Sequence, residues 1–422
     1  MTFENSLQFA QSLDEKDPLK TYRDKFHIPK INRKDCIYFT GNSLGLQPKS
    51  TRQFVEEELL DWEKLGVEGH FHAKKRPWFH YHKFSKEALG KIVGAKPSEV
   101  VSMNSLTTNL HLMMVSFYRP SEKKFKIVME EGAFPSDQYA VESQVKFHGF
   151  NPSEAIIEIK PREGEATLKT DDIVNTIEKN ADSIALVLFS GVQYYTGQYF
   201  DLKSITAAGH KAGAKVGFDL AHAVGNVLVN LNDSGADFAA WCSYKYLNSG
   251  PGGVSGIYVN ERHANNPDLP RFAGWWGHNE EERFKMEKGF IPMEGADGWQ
   301  QSNVNVLSSA AHMASLQIFK EAGIDKLRAK SLQLTGFLEY LIKSDLEDSV
   351  QILTPKNTEE RGCQLSLVVK KDGKKVFDTL TKEGVIADWR EPEVIRVAPV
   401  PLYNTFEDVF NFYSIMKKVL IE

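Results

Sequence analysis

Short apolar runs alternate with amphipathic segments through the middle of the chain, and this alternation restricts the fold more than any other feature. Phe125–Met129, Ala185–Ser190, Ala214–Asp219 and Phe238–Cys242 are runs of this kind, bounded by Gly, Asp or Ser. They read as strands covered on both faces. Between them, Thr170 caps the helix-like DDIVNTIEKN, and Asp201 caps LKSITAAGHKAG, which stops at Gly213. Strand, helix, strand in that order predicts an α/β fold, a mostly parallel sheet with helices on both faces.

After about residue 305 the pattern changes. A helical stretch from Val306 to Lys343 breaks near Gly323, followed by strand-like CQLSLVVK, helix-like KKVFDTLTKEG, strand-like VIADW and IRVAP, and a last helix. This α+β order predicts a smaller second domain over 306–422, after a large domain over 51–305. Residues 1–50 are expected to pack with the small domain. The 422 residues, 41% of them hydrophobic, can bury a sizeable core. A net charge of −5 argues against a chain-wide basic field for nucleic acid or acidic membrane. The three cysteines, Cys36, Cys242 and Cys363, form neither a disulfide framework nor a metal-ligand spacing. The acidic N-terminus lacks a signal peptide's apolar core, and the longest apolar runs are far short of the ~20 residues a membrane span needs. A soluble, cytoplasmic protein is expected.

Two local motifs attract attention and lose on inspection. Gly41-Asn42-Ser43-Leu44-Gly45 is a G-x-S-x-G after a strand-like CIYFT, the pattern of a hydrolase nucleophile elbow. An elbow leads straight into a helix, however, and Pro48 disfavours helix at Gln47. A glycine-supported turn bordering a substrate site, with Ser43 among its contacts, fits better. His70, His72, His80 and His82 make two H-x-H pairs that would share a face on strands. No Asp, Glu or Cys completes either pair at close spacing, and Lys74, Lys75 and Arg76 sit between them, so no metal is expected.

The strongest constellation spans residues 214–253. Asp219 ends an apolar strand, His222 follows three residues later, and Lys245 lies past the next strand in Ser243-Tyr244-Lys245-Tyr246. The turn Gly250-Pro251-Gly252-Gly253 comes next. A carboxylate and a lysine at neighbouring strand ends suit pyridoxal 5'-phosphate: the amine bonds the cofactor aldehyde and the carboxylate keeps the ring nitrogen protonated. Ser105-Leu106-Thr107-Thr108-Asn109 opens an apolar helix whose free N–H groups suit a phosphate. Tyr244 offers a phenol to the same group, and Phe134, in Ala133-Phe134-Pro135-Ser136-Asp137, can stack on a planar ring.

With these residues in place the chain resembles the kynureninases, a family of fold-type I pyridoxal phosphate enzymes. The likeness rests on YFTGNSLGLQPK, KRPW, MNSLTTNLHLMMVSFY, AFPSDQYA, SGVQYYTGQ, GFDLAHAVGN, SYKYLNSGPGG, GWWGH, RGCQL and IRVAPVPLYN, from about residue 38 to 404. The resemblance implies a seven-stranded-type sheet in the large domain. It implies Lys245 as the cofactor lysine, Asp219 at the ring nitrogen, and Phe134 stacked on the ring. Leu106, Thr107, Pro135, Ser136, Asp137, Ser190, His222 and Tyr244 would complete the pocket. Trp275 and Asn303 would reach the cofactor of a neighbouring subunit, implying a homodimer with shared active sites. Arg396 would clamp the substrate α-carboxylate, a job suited to its planar fork, and Tyr195 would do acid/base work near the substrate ketone. The implied reaction is hydrolytic Cβ–Cγ cleavage of kynurenine or 3-hydroxykynurenine to L-alanine and an anthranilate, in tryptophan catabolism and NAD biosynthesis. His70, with His72 as a stand-in, and Asn303 look like the pair that favours the 3-hydroxy substrate.

Rival readings are a cysteine desulfurase-like or aminotransferase-like enzyme of the same fold, and a non-catalytic pyridoxal phosphate-binding protein. A desulfurase needs an exposed reactive thiol, and all three cysteines border apolar runs. A non-catalytic protein need not keep Tyr195 and Arg396.

Overall fold

The apolar runs become the centre of a seven-stranded sheet in the computed structural model, which describes residues 2–421. Across the sheet the strands are Val100–Ser102, Gly256–Val259, Phe238–Trp241, Lys215–Asp219, Ile184–Ser190, Lys126–Glu130 and Ile156–Ile159. Gly256–Val259 runs antiparallel to both neighbours, and the remaining pairings are parallel.

The period of two explains why continuous apolar runs were needed. Val128, Val187, Val216 and Ala239 face one core, with helices Thr170–Lys179, Leu202–Lys211, Lys83–Val93 and Val306–Ala322. Ile127, Leu186, Phe238 and Ile257 face the opposite core, with helices Leu106–Phe117 and Pro135–Phe147. Burying each of the valine, leucine, isoleucine and phenylalanine side chains contributes about 1.5–3 kcal/mol, so both faces exclude polar residues and pin the register.

A second, four-stranded antiparallel sheet orders Val350–Ile352, Leu365–Val369, Val394–Val397 and Asp388–Arg390. Helices Ile324–Asp345, Gly373–Lys382 and Phe406–Ile421 cover it, and the N-terminal helix Leu7–Lys16 joins its core through Ala10 and Leu13. The long helical stretch does break at Gly323, whose φ of +80° lies where glycine pays no Cβ penalty.

Three local expectations change. Thr170 is the first helical residue rather than the cap; Lys169 takes the cap position without a side-chain bond, and Asp171 and Asp172 supply negative charge to the first turn instead. VIADW splits: Val385–Ile386 pairs in parallel with Ile37–Tyr38, and Asp388 enters the four-stranded sheet. The H-x-H segments are not strands: His70 and His72 lie in the helical turn Gly69–His72, whereas His80 ends the turn Trp78–His80 and His82 takes the N-cap position of the next helix, and these two meet Glu280 Oε1 at 3.7 and 3.8 Å. Among the described residues no helix is long and apolar enough to cross a membrane.

Candidate active site

Parallel strands end together at one edge of the large sheet, and chemistry gathers there. Ser190 sits opposite Asp219 in register, and Glu130 closes the adjacent strand. Beyond this edge lies a cavity of about 300 Å³. Its floor is Asp219, buried, accepting a hydrogen bond from Ala221 N at 2.7 Å. Asp137 faces it from the first turn of the helix Pro135–Phe147, and burial pushes both carboxyls up. The charge of Asp219 raises the Asp137 carboxyl further, so of the two Asp137 keeps a proton the more readily.

Lys245 Nζ lies 3.0 Å from His222 Nε2 and 5.8 Å from the centre of the Phe134 ring. Burial and the lysine charge hold His222 well below the usual imidazole range. The imidazole is therefore neutral and accepts from the ammonium through Nε2, leaving its proton on Nδ1. On the opposite wall the helix Leu106–Phe117 begins at Ser105, whose side chain does not cap it, so first-turn amides stay free. Thr107 Oγ1 and Ser136 Oγ, 2.8 Å apart, bring two helix starts together. Tyr244 lines the same cavity, its phenol pushed up by burial and thus a proton donor.

The G-x-S-x-G turn supports this site from below. Gly45 N donates to Tyr244 O at 2.8 Å, and a Cβ on Gly45 would lie 2.3 Å from the Lys245 carbonyl oxygen. The glycine is there for backbone approach. The helix after it starts only at Thr51, and Asn42 and Ser43 border the cavity as a turn. Arg396, from the second sheet, completes the opposite end. It is 1% exposed, donates to Tyr194 O at 2.7 Å and pairs with Asp388.

Ser43, Leu106, Thr107, Phe134, Ser136, Asp137, Ser190, Asp219, His222, Tyr244, Lys245 and Arg396 are thus brought together. Other expected residues lie elsewhere. Pro135 begins its helix outside the cavity lining. Tyr194, not Tyr195, borders the cavity, its ring edge-on to Phe134 at 5.2 Å. Tyr195 is tied back through its own N–H to Gln193 Oε1 and through its carbonyl to Ser366. His70 and Asn303 share a separate open cavity of about 360 Å³ with Trp62 and Trp78, while His72 is exposed beside Glu68. Trp275 is also exposed, its ring against Phe284. Sequence reading missed Asn42, Tyr194 and Arg390, all cavity-lining, and the buried Glu130 beneath Ser190. Asn42 and Tyr194 adjoin residues that were singled out; Arg390 and Glu130 have no local signal.

These residues fit pyridoxal phosphate. His222 Nδ1 and Asp137 Oδ1 are buried without partners beside a lysine amine, an aromatic face and an open helix N-terminus with hydroxyls. Two solved structures share the fold. A cysteine desulfurase from Thermococcus onnurineus superposes with a TM-score of 0.74 at 19% identity, over 94% of this chain and 98% of that one. A variant of a cystine C–S lyase, with glycine covalently linked to its pyridoxal phosphate, gives 0.76 at 15% identity, over 90% and 96%. Fold and site define a fold-type I pyridoxal phosphate-dependent enzyme.

Residues 327–416 match the kynureninase C-terminal domain model. A kynureninase from Flavobacterium psychrophilum is 58% identical over the full length of both chains. The chain belongs to the kynureninase family, pyridoxal phosphate-dependent hydrolases that cut a carbon–carbon bond in a ketonic amino acid. Fold alone would not separate it from the desulfurases. The cysteines point the same way as the family: all three are buried, with Cys36 pushed up to about 11 and Cys363 to about 12, so none is a ready thiolate.

Proposed function

We propose that this enzyme cleaves 3-hydroxykynurenine in preference to kynurenine, releasing L-alanine and 3-hydroxyanthranilate. The observation that carries the preference is the meeting of His70 and Asn303, 233 residues apart in the chain (303 − 70), at one cavity. Polar groups placed for a ring hydroxyl discriminate strongly against the analogue lacking it. Because this pair stands apart from the chain's own Lys245 cavity, we place it, with Trp275, at the active site of a second copy in a homodimer. Exposed Trp62, Val67 and Phe71 near His70 support an interface there. Buried free cysteines support a reducing, cytoplasmic setting, and the products suit tryptophan catabolism and NAD biosynthesis. The division into 1–50, 51–305 and 306–422 belongs to the same reading: the second sheet's separate core, with Ala10 and Leu13, supports a small domain, whereas Leu19, Phe26, Leu46 and the helix Val306–Ala322 pack in the large sheet's core instead.

When bound, pyridoxal phosphate supplies the electron sink for bonds to the substrate α-carbon. In our assignment Lys245 would hold it covalently, Asp219 would keep its ring nitrogen protonated, and Phe134 would pack against its ring. Leu106, Thr107, Ser136 and Tyr244 would hold its phosphate, with Ser190 and His222 beside the ring. Lys245 Nζ, when its amine is free, would move the α-carbon proton. Arg396 grips the α-carboxylate. Tyr195, whose phenol burial pushes up, would give its proton to the ketone oxygen as the hydroxyl of water adds to that carbon, and would recover the water's other proton. Loss of a hydroxyl proton from the hydrated carbon would then break the Cβ–Cγ bond and leave the anthranilate carboxyl, and the released carbon would take a proton to become L-alanine's methyl.

The test is kcat/KM for both substrates, followed by release of L-alanine and of the matching anthranilate. A ratio favouring the 3-hydroxy substrate is expected, and Asn303→Thr should erode it by roughly tenfold. An unchanged ratio in the variant removes Asn303 from specificity.

A further inference from the structure

Arg396 enters the cavity already engaged. Its guanidinium donates to Tyr194 O and pairs with Asp388, the residue directly opposite it in the antiparallel register, while its Nε has no partner. A buried arginine neutralised by its own aspartate presents no net charge to an incoming carboxylate. The missing charge comes from Arg390. Its guanidinium sits 3.1 Å from the same Asp388 Oδ2 that Arg396 uses, and both arginines border the Lys245 cavity. The carboxylate is only 15% exposed and Arg390 36%, so the counter-charge lies at the mouth and the clamp at the bottom.

We propose that the receptor for the substrate α-carboxylate is the three-residue unit Arg396–Asp388–Arg390, in which Arg390 balances Asp388 and so leaves Arg396 one uncompensated positive charge. The unit counts two cations against one anion, and the substrate carboxylate completes it to neutrality. Asp388 holds the Arg396 fork in place, and Arg390 removes the electrostatic cost of having it there. Arg390 is thus a specificity-determining residue. Its selectivity is for ligands that carry a carboxylate next to the amine. The inference rests on the reading of Arg396 as the carboxylate clamp.

The test uses the cofactor-loaded enzyme and the absorption change on adding L-alanine or ethylamine, which share the amine and differ in the carboxylate. Arg390→Gln should weaken L-alanine binding by roughly tenfold, a change of about 1.4 kcal/mol, and leave ethylamine binding unaltered. The double variant Asp388→Asn with Arg390→Gln restores the charge count and should recover most of the lost L-alanine affinity. Arg390→Lys should retain affinity. If Arg390→Gln leaves L-alanine binding intact, or if its loss is not repaired by Asp388→Asn, the three-residue unit is overturned. A separate control tests the underlying reading: Arg396→Gln must abolish the preference for L-alanine over ethylamine, and its failure to do so removes the clamp itself.

Discussion

At the scale of single residues, two side chains near the sheet edge have roles that proton location decides. Tyr194 and Tyr195 are neighbours, yet only Tyr194 borders the cavity, and it meets Arg396 through its backbone carbonyl and its ring face, 5.9 Å from the guanidinium, not through its phenol. If Tyr195 carries the proton for the ketone, Tyr195→Phe lowers kcat by about 10²–10⁴, the range of general acid catalysis, and Tyr194→Phe costs far less. The reverse order, in single-turnover kinetics, would transfer the role to Tyr194. Glu130 is a second case. It is fully buried, accepts from Ser190, and burial pushes it up to about 7. An acid raised in the folded state destabilises the fold as pH climbs: the unfolded chain ionises near 4.5 while the native carboxyl still holds its proton. That cost grows between pH 4.5 and 7 and reaches about 3 kcal/mol. Glu130→Gln should therefore match the parent protein near pH 4 and exceed its stability at pH 8. Parallel denaturation curves at both pH values would contradict the assignment. Lys245, Asp219 and Phe134 were readable because each stands beside an apolar run that ends in a turn. Glu130 and Arg390 were not, since their meaning comes from partners 60 residues away in one case and from a shared carboxylate in the other.

At the scale of elements, strand positions were legible because burial on both faces demands unbroken apolar runs, as Ile184–Ser190 and Lys215–Asp219 show. Strand direction was not. Gly256–Val259 turns antiparallel between two neighbours, and nothing in four residues records the orientation. The short Val100–Ser102 escaped for the same reason: three apolar-edge residues carry too little period. The G-x-S-x-G segment shows how a motif's spacing survives a change of meaning. Its Gly45 has no room for a methyl group beside the Lys245 carbonyl and Asn248. Gly45→Ala should destabilise the protein by about 2 kcal/mol through overpacking and speed loss of the cofactor on dilution. Ser43→Ala should do neither. A Gly45→Ala protein with parental melting temperature and cofactor retention would show that the turn yields freely.

At the scale of the molecule, His70, Asn303 and Trp275 sit apart from the cavity that the chain builds for itself. No reading of one chain's spacing reveals whether such residues serve their own site or a neighbour's. Assembly decides it. If a second copy supplies them, a Lys245→Ala chain and a Trp275→Ala/Asn303→Ala chain should each be impaired alone. Mixed under conditions that exchange subunits, they should regain part of the turnover, because one heterodimer site is then intact. No recovery from a mixture shown to contain heterodimers would place these residues outside the partner's chemistry.

The turn between Thr40 and Gly45 has a consequence for what the enzyme can learn to bind. One end is joined to the second sheet, where Thr40 bridges Ala398 just past Arg396 and Gly41 abuts Tyr403. The other end is joined to the lysine loop through Gly45. On the roles proposed here, it acts as a caliper set between the amine-handling and carboxylate-handling jaws. A caliper locked at one opening measures the backbone of an α-amino acid and ignores whatever hangs from it. On the same reading, side-chain preference would be exchanged through the other walls of the site while the gauge itself stays untouched. A longer or looser turn would be expected to blur the distinction between α- and β-amino acids before it altered the choice of ring.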